Sequence, residues 1–327
     1  MTMIIDMFCH HISLPIIEKL HTARLARANK NPNERGPKKF SCPVQNADPE
    51  IRLGLMDKYG VDVHAVCLST EVLYGFSPEE AAEICRISNN ANDALCKAYP
   101  KRFVNICAIS LLDVRSGLHE LDRSINELDC RAVIVSTNQD GKGLDSPDYD
   151  PFYKKLVEHD LPLLLHPTYW KSYPLVDESE WTLMSRFGWP FDSTQAVWRI
   201  IFGGVLDRFP TLKIVMHHLG AMFPYFVGRF DSGLMKLEKK PPKPLSEYFK
   251  CIYGDSAVSA GPPEAYACGY AFFGPDRVVY GSDYPFGPEL GEKQLRGNLA
   301  GLKSLNIPAG DMEKVLGGNA NRLLKIK

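Results

Sequence analysis

Four residues that could bind a metal or transfer protons each follow a short apolar run that predicts a β-strand. Asp283 follows the run 278–282, and Pro285, which cannot extend a strand ladder, comes two residues later. Three further runs of this kind end on His10, His166 and His218. One such residue alone is usually a capping or hydrogen-bonded group, but four at equivalent strand ends predict a functional site.

The residue types indicate the chemistry. Two imidazoles and one carboxylate form a ligand set for one divalent metal such as Zn²⁺, Mn²⁺ or Fe²⁺, and zinc is expected rather than manganese. An imidazole left outside the ligand set is suited to proton transfer near neutral pH.

The elements that must position these residues alternate between strand and helix patterns along a single domain, 1–327. Eight such strands predict an α/β fold of the (β/α)8 TIM barrel type, in which the carboxyl ends of the strands carry the chemistry. The predicted strands cover residues 3–10, 61–70, 103–109, 131–136, 161–166, 213–218, 251–255 and 278–282.

Two segments are expected to shape the mouth of the site. Residues 12–47 form a basic insertion after the first strand that is too long for an ordinary connection, so it is expected to cover the mouth. Residues 168–191 are irregular and aromatic. Candidate pocket residues there and near the strand ends are Phe8, Tyr169, Trp170 and Tyr284.

The composition limits the partners. With 38 basic and 39 acidic residues in a chain of 327, there is no overall field to attract nucleic acid or an anionic membrane. No apolar run is long enough to span a membrane, and the first strand leaves no room for a signal peptide. Nine cysteines without a CxxC pair predict reduced thiols and a cytoplasmic protein.

Several short motifs, in their order and spacing, resemble one family over nearly the whole chain. The sequence is similar to the amidohydrolase-related decarboxylases typified by α-amino-β-carboxymuconate-ε-semialdehyde decarboxylase. The matching motifs are Ile5-Asp6-Met7, residues 48–52, Met56-Asp57, residues 60–63, His166-Pro167, residues 212–214, the run from His218 to Pro224, residues 227–229, 244–248, 255–257, 281–286 and 318–320.

The resemblance implies a metal-dependent, non-oxidative decarboxylase of a small aromatic or muconate-like carboxylic acid. In that family, residues matching His10, His166 and Asp283 hold the metal, and the residue matching His218 handles protons. The residue matching Arg229 binds the substrate carboxylate across a homodimer interface. Asp283 and His218 are therefore the expected catalytic residues.

The sequence departs from the family pattern at two places. Phe8 stands where related chains carry a histidine or glutamate ligand, and His11 can replace that ligand only if the strand bulges, because side chains alternate along a strand. An arginine that grips the substrate is absent from residues 40–43, where Lys38 or Lys39 could substitute. These departures indicate a changed substrate.

Two alternatives to decarboxylation stay open. The same residues could activate water, through Asp283 or His218, in a hydrolase or hydratase of a cyclic or unsaturated acid. Phe8 also leaves open a metal-free relative with a binding role. His217, one residue before His218, is expected to face the outer helices.

Overall fold

Eight parallel strands form the centre of the protein in a computed structural model that describes residues 3–30, 47–169, 183–234, 238 and 240–326. Their order in the sheet follows their order in the chain, which confirms the predicted (β/α)8 barrel. The strands are β1 Ile5–His10, β2 Val63–Cys67, β3 Phe103–Ala108, β4 Ala132–Ser136, β7 Leu163–His166, β8 Ile214–Met216, β9 Ile252–Asp255 and β10 Val278–Val279, and a small hairpin of β5 Asn138–Gln139 and β6 Lys142–Gly143 follows β4.

The ring closes between β1 and the segment that follows β10. Backbone N–H groups of Met7, His10 and Asp283 donate across this joint to carbonyl groups at distances of 2.6 to 2.9 Å. A Cβ at Gly281 would lie 2.9 Å from the Cβ of Phe8 and 3.0 Å from that of Asp255, so the residue here must be glycine. The joint therefore brings the ends of the first and last strands together.

Helices cover the outside of the barrel. Two of them begin as the sequence predicts: Asp48 caps α2, with Pro49 in the first turn, and Ser77 and Glu80 form a capping box on α3. The α-helices are α1 Leu14–Lys30, α2 Pro49–Tyr59, α3 Pro78–Ala98, α4 Val114–Glu127, α5 Asp150–Glu158, α6 Trp189–Phe202, α7 Val205–Arg208, α8 Phe223–Leu234, α9 Leu245–Tyr248, α10 Pro263–Phe273, α11 Glu292–Lys303, α12 Ala309–Glu313 and α13 Asn319–Leu324. No described helix is long and apolar enough to cross a membrane.

Two apolar layers stabilise this arrangement. Inward side chains such as Ala65, Ile106 and Leu164 fill the barrel, whereas outward side chains such as Val66 and Cys107 pack under the helices. Because neighbouring residues of a strand enter opposite layers, the register of each strand fixes which polar residue at its end can enter the site.

The insertion predicted at residues 12–47 begins differently from the expectation. Residues 14–30 form α1, and the buried side chains of Ile16 and Leu20 belong to the inner core cluster. Lys38, Lys39 and residues 40–43 lie outside the described residues, so the predicted cover over the mouth stays a prediction. Residues 189–191, expected to be irregular, already belong to α6 because Pro190 starts its first turn.

Arg52 of α2 holds the end of β1 from the outer layer. Its guanidinium is buried, and Nη2 donates to the carbonyl oxygen of His10 at 2.5 Å. Nη1 lies 3.3 Å from Nδ1 of His64, and the guanidinium carbon lies 4.5 Å from the centre of the Tyr284 ring. One cation thus contacts both strands of the joint, directly behind His10 and Asp283.

Replacing Arg52 with methionine keeps an unbranched side chain but leaves the His10 carbonyl without its charged donor. We expect the free energy of unfolding to fall by roughly 1.5–3 kcal/mol, the usual contribution of a hydrogen bond to a charged group. Urea unfolding of Arg52→Met measures this loss. Arg86→Met on the exposed side of α3 is the matched control, expected to stay within about 0.5 kcal/mol of the unsubstituted protein. Equal stability of the two variants would contradict a bracing role for Arg52.

Candidate active site

A cavity of about 460 Å³ opens at the carboxyl ends of the strands. This volume is within the range of small-molecule sites. Its described lining combines imidazoles, carboxylates, cations and aromatic rings: Ser69, Glu71, His166, Pro167, Ser185, Arg186, Trp189, His217, His218, Ser259, Asp283, Phe286, Gly287, Pro288, Lys293 and Gln294.

Asp283 lies at the centre of the polar groups. Its Oδ1 is 3.2 Å from Nε2 of His10 and 3.7 Å from Nε2 of His217. Burial alone would raise the pKa of Asp283, but its interactions with these two imidazoles outweigh burial and hold the pKa below its ordinary value. Asp283 is therefore a carboxylate, shared by two histidines from different strand ends.

His10 is fully buried, and among the described residues its Nε2 has no well-aligned hydrogen-bond partner, although Oδ1 of Asp283 lies 3.2 Å away. Its Nδ1 lies 3.5 Å from the thiol of Cys67. An unpartnered ring nitrogen in a buried site costs free energy unless a further group pairs with it.

His166 presents a defined nitrogen to the same site. Its Nδ1 donates to the carbonyl of Pro167 at 2.8 Å, and because a carbonyl can only accept, Nε2 carries the lone pair. Burial, and then the electrostatic influence of His10 and His217, lower the pKa of His166 well below its usual value. The ring is neutral, the form in which an imidazole binds a metal.

His217 corrects the expectation that it faces the outer helices. Val215 points into the barrel, so His217, two residues later, points to the same side. Its Nδ1 donates to Asp255 at 2.6 Å. Burial would lower the pKa of His217, but Asp255 and Asp283 outweigh burial and raise it to about 10. The predicted register was off by one residue, because Val215, and not Ile214 or Met216, points into the barrel.

His218 also reaches the cavity, although it follows a residue that already points inward. A left-handed backbone, with φ of 59° at His218 and 51° at Leu219, turns the chain there. Burial, and then the charge of His217, lower the pKa of His218 well below its usual value. Its Nδ1 is buried without a partner, so an unpaired neutral imidazole lies beside the cavity.

Three other residues lie away from the positions that the sequence predicts. His11 contacts Asn92 through Nδ1 at 2.8 Å and is not part of the described cavity lining, so the bulge in β1 does not carry it into the site. Tyr284 was expected in the pocket wall but is buried in the outer layer beneath Arg52. Tyr169 lines a smaller neighbouring cavity with Tyr74.

The remaining candidates have different outcomes. Phe8 points toward the site, but its ring is fully buried and stacks on His217, with ring centres 4.0 Å apart. That face is therefore covered by an imidazole and not open to a substrate. Arg229 is exposed on α8, and Trp170 lies outside the described residues.

Several residues of the site were missed from the sequence. Ser69 and Glu71 lie in the connection that begins after β2 ends at Cys67, and a Glu71 oxygen lies 3.6 Å from Nδ1 of His166. Burial raises the pKa of Glu71. The rule that found His166, a polar residue just after a predicted strand, would also have found Glu71. Arg186 and Lys293 had no such signal, because Arg186 lies in the short π-helical segment Met184–Gly188 and Lys293 at the start of α11, away from the strand ends.

A second polar cluster lies behind the rim and is not the active site. Among the described residues, the donor atoms of Asp6, Cys9 and His64 all lie within 4.8 Å of one another, a spacing that could suit a metal. However, the Arg52 cation contacts His64, and burial raises the pKa of Asp6 to about 7, so the surroundings disfavour a second cation. The strand-end residues instead form separate pairs around Asp283.

Known proteins resemble the chain along nearly its full length. The 2-amino-3-carboxymuconate-6-semialdehyde decarboxylase of Dictyostelium discoideum is 28% identical over 284 residues, which cover 85% of this chain and 76% of that protein. The gamma-resorcylate decarboxylase of Rhizobium sp. (strain MTP-10005) is 25% identical over 294 residues, or 85% and 87% of the two chains.

A solved structure shares the fold. The 5-carboxyvanillate decarboxylase of Novosphingobium aromaticivorans, in complex with manganese and 4-hydroxy-3-methoxy-5-nitrobenzoic acid, superposes with a TM-score of 0.80. It is 22% identical, and the match covers 99% of this chain and 96% of that one. The model of the family described as amidohydrolase matches residues 10–326. The resemblance inferred from the motifs is thus confirmed, and the chain belongs to this amidohydrolase family.

Proposed function

We propose that the protein is a metal-dependent, non-oxidative decarboxylase of a small aromatic carboxylic acid. The observation that carries the proposal is the buried Nε2 of His10, which has no well-aligned hydrogen-bond partner among the described residues and lies 3.2 Å from the Asp283 carboxylate at the barrel rim. The related decarboxylases add the reaction class and the aromatic acid.

His10, His166 and Asp283 are suited to hold one divalent metal. His10 offers an unpaired nitrogen, His166 a neutral nitrogen oriented by a backbone carbonyl, and Asp283 a carboxylate, which together suit Zn²⁺ or Mn²⁺. A bound metal supplies Lewis acidity, which stabilises negative charge as CO₂ leaves. The preference for zinc stays a prediction, and the manganese in the similar 5-carboxyvanillate decarboxylase argues against it.

Cations and aromatic rings of the cavity suit an aromatic acid. Arg186 and Lys293 line the cavity and attract a carboxylate. Trp189 and Phe286 offer ring faces or edges to an aromatic substrate. Phe286 also lies beside His10, with ring centres 5.4 Å apart, which places an aromatic wall next to the polar groups.

His218 is the residue proposed to deliver a proton to the ring carbon that loses CO₂. Its ring lines the cavity, and its buried Nδ1 has no hydrogen-bond partner among the described residues, so none of them fixes the orientation of this imidazole through Nδ1. Because the pKa of His218 is lowered, the ring must first take up a proton. A substrate carboxylate beside it favours that uptake, since an opposite charge stabilises the protonated imidazole.

A screen of hydroxylated and carboxylated benzoic acids against metal-loaded protein tests the reaction. We expect CO₂ release by the unsubstituted protein and none by Asp283→Asn or His166→Ala, because each variant removes a proposed ligand. Elemental analysis of the three proteins, after separate incubation with Zn²⁺ and Mn²⁺, should show metal only in the unsubstituted protein. Oxygen from labelled water in the product, without CO₂, would instead identify a hydrolase or hydratase. Full metal content in both variants would reject the ligand set.

His218→Ala separates proton transfer from metal binding. We expect unchanged metal content but turnover lowered about 10²–10⁴-fold, the usual contribution of a positioned acid–base group. The rate of CO₂ release and the deuterium incorporated at the vacated carbon in heavy water measure the effect. The control is His119→Ala on α4, a histidine outside the cavity lining. Unchanged turnover in His218→Ala would remove this residue from the mechanism.

A homodimer with Arg229 acting on the partner's substrate is the assembly that we favour. Arg229 is exposed on α8, and no described residue forms an ion pair with it, including Asp231 and Glu238. Tyr225, one helical turn earlier, is 80% exposed, so both residues lie on one outward face that a partner could cover.

The eight described cysteines are free thiols, as expected for the predicted cytoplasmic location.

Mixing two inactive variants tests the shared site. After subunit exchange, Arg229→Ala with His218→Ala should recover at most about a quarter of the activity, because half of the dimers are mixed and each has one intact site. A mixture of Asp283→Asn with His218→Ala is the control and should recover none, since both residues belong to the same barrel. No recovery in the first mixture despite proven exchange, or a monomer in sedimentation, would contradict the shared site.

A further inference from the structure

The position two residues before His10 cannot bind a metal. Phe8 lies there and is fully buried. Its ring centre is 5.6 Å from the ring centre of His10 and 6.0 Å from that of His166. A phenyl ring has no lone pair to donate. The strand that supplies His10 therefore offers the site one ligand and a neighbouring apolar wall.

His217 lies directly against that wall. Its imidazole stacks on Phe8 with ring centres 4.0 Å apart and planes 12° apart, and its ring centre is 5.6 Å from that of His166. The stack fixes the plane of the imidazole. His217 thus comes from a different strand end but lies next to the place where β1 lacks a ligand.

Asp255 fixes which nitrogen of His217 faces the site. The carboxylate accepts the Nδ1 hydrogen at 2.6 Å, and its other oxygen accepts the backbone N–H of Ala257 at 2.9 Å. A carboxylate on Nδ1 orients a histidine toward a metal through Nε2. Here Nε2 lies 3.7 Å from Oδ1 of Asp283, and a metal ion bound at Nε2 would displace the proton that this nitrogen carries. Two donor atoms on one ion, with bonds of about 2.1 Å, lie roughly 3.0–3.5 Å apart, so the separation of this one pair is close to the spacing of two ligands.

We propose that His217 is itself a ligand of the metal, the third imidazole beside His10 and His166, and that it takes the place that Phe8 leaves without a donor. This inference rests on the proposed metal centre. The sequence predicted a ligand set of two imidazoles and a carboxylate. With His217, the set becomes three imidazoles and a carboxylate. Asp255 becomes a positioning residue, since it acts on the metal only through His217.

His218 is the matched control within the same chain segment. It is also a buried imidazole, and its ring centre is 3.9 Å from that of His217. However, in the part of the chain that the structure describes, no carboxylate is hydrogen-bonded to its ring, and its Nδ1 has no partner. Removing it deletes the same volume and chemistry one residue further along.

Metal affinity, measured by competition with a chelator for Zn²⁺ and for Mn²⁺ separately, tests the assignment. Loss of an orienting outer partner costs about 10–100-fold in affinity, so loss of a direct ligand in His217→Ala should cost about 100-fold or more. His218→Ala should keep the affinity of the unsubstituted protein. X-ray absorption of the zinc-loaded proteins should detect one imidazole fewer in His217→Ala than in His218→Ala.

A second substitution guards against simple damage to the fold. In the His217→Ala background, Phe8→His returns an imidazole to the end of β1 and should recover most of the lost metal affinity. The same Phe8→His change in an Asp283→Asn background should recover none. Far-ultraviolet circular dichroism on each variant checks that the barrel is intact.

The outcomes separate this inference from the proposed function. Unchanged affinity and imidazole count in His217→Ala, with loss of metal in Asp283→Asn, would overturn His217 as a ligand and leave the metal-dependent decarboxylase standing. Loss of metal in His217→Ala, without CO₂ release from any acid, would support the ligand and reject the decarboxylase. An unsubstituted protein that takes up neither metal would overturn both.

Discussion

The hydrogen-bonded joint between β1 and the segment after β10 is the constraint on which the site depends. The Asp283 N–H donates to the Phe8 carbonyl at 2.9 Å, and the His10 N–H donates to the Tyr284 carbonyl at 2.6 Å. The two residues in closest contact at the site, His10 and Asp283, therefore meet only after the first and last strands have paired. Pairing strands that are far apart in the sequence has an entropic cost of loop closure. Arg52 makes a buried charged contact at this joint, which helps to offset that cost.

Electrostatics gives each buried imidazole a different state. A second positive charge in this small volume is disfavoured, so the charge of His217 contributes to the lowered pKa of both His166 and His218. His217 can hold a proton because it lies between the carboxylates of Asp255 and Asp283. The surroundings of each histidine thereby give it a different role. His166 is a neutral ring that can donate its Nε2 lone pair, and His218 is a ring whose Nδ1 has no partner among the described residues.

Sequence patterns predicted the barrel and most strand ends because both follow from local rules. Alternation of strand and helix, with caps at Asp48 and Ser77, is visible over short windows. His10, His166 and Asp283 were found because each directly follows an apolar run. The prediction that Tyr284 lines the pocket was wrong, because a single residue after a strand can turn to either layer. The Arg52 cation that contacts its ring comes from a helix distant in the sequence. Arg186 and Lys293 were missed because they lie on helical segments and do not directly follow a strand.

His217 and Phe8 illustrate a limit of reasoning strand by strand. A ligand is required at a point in space, and the strand ends of a barrel converge on one rim, so a donor lost from one strand can be supplied by another. In the sequence, Phe8 marks a missing ligand, because the comparison with the family pattern is made within β1 alone. In the folded protein the phenyl ring packs against an imidazole from β8, which Asp255 of β9 orients. The chemistry of such a rim must therefore be judged from all the side chains that converge on it, because a ligand lost at one strand end and a ligand gained at another serve the same site.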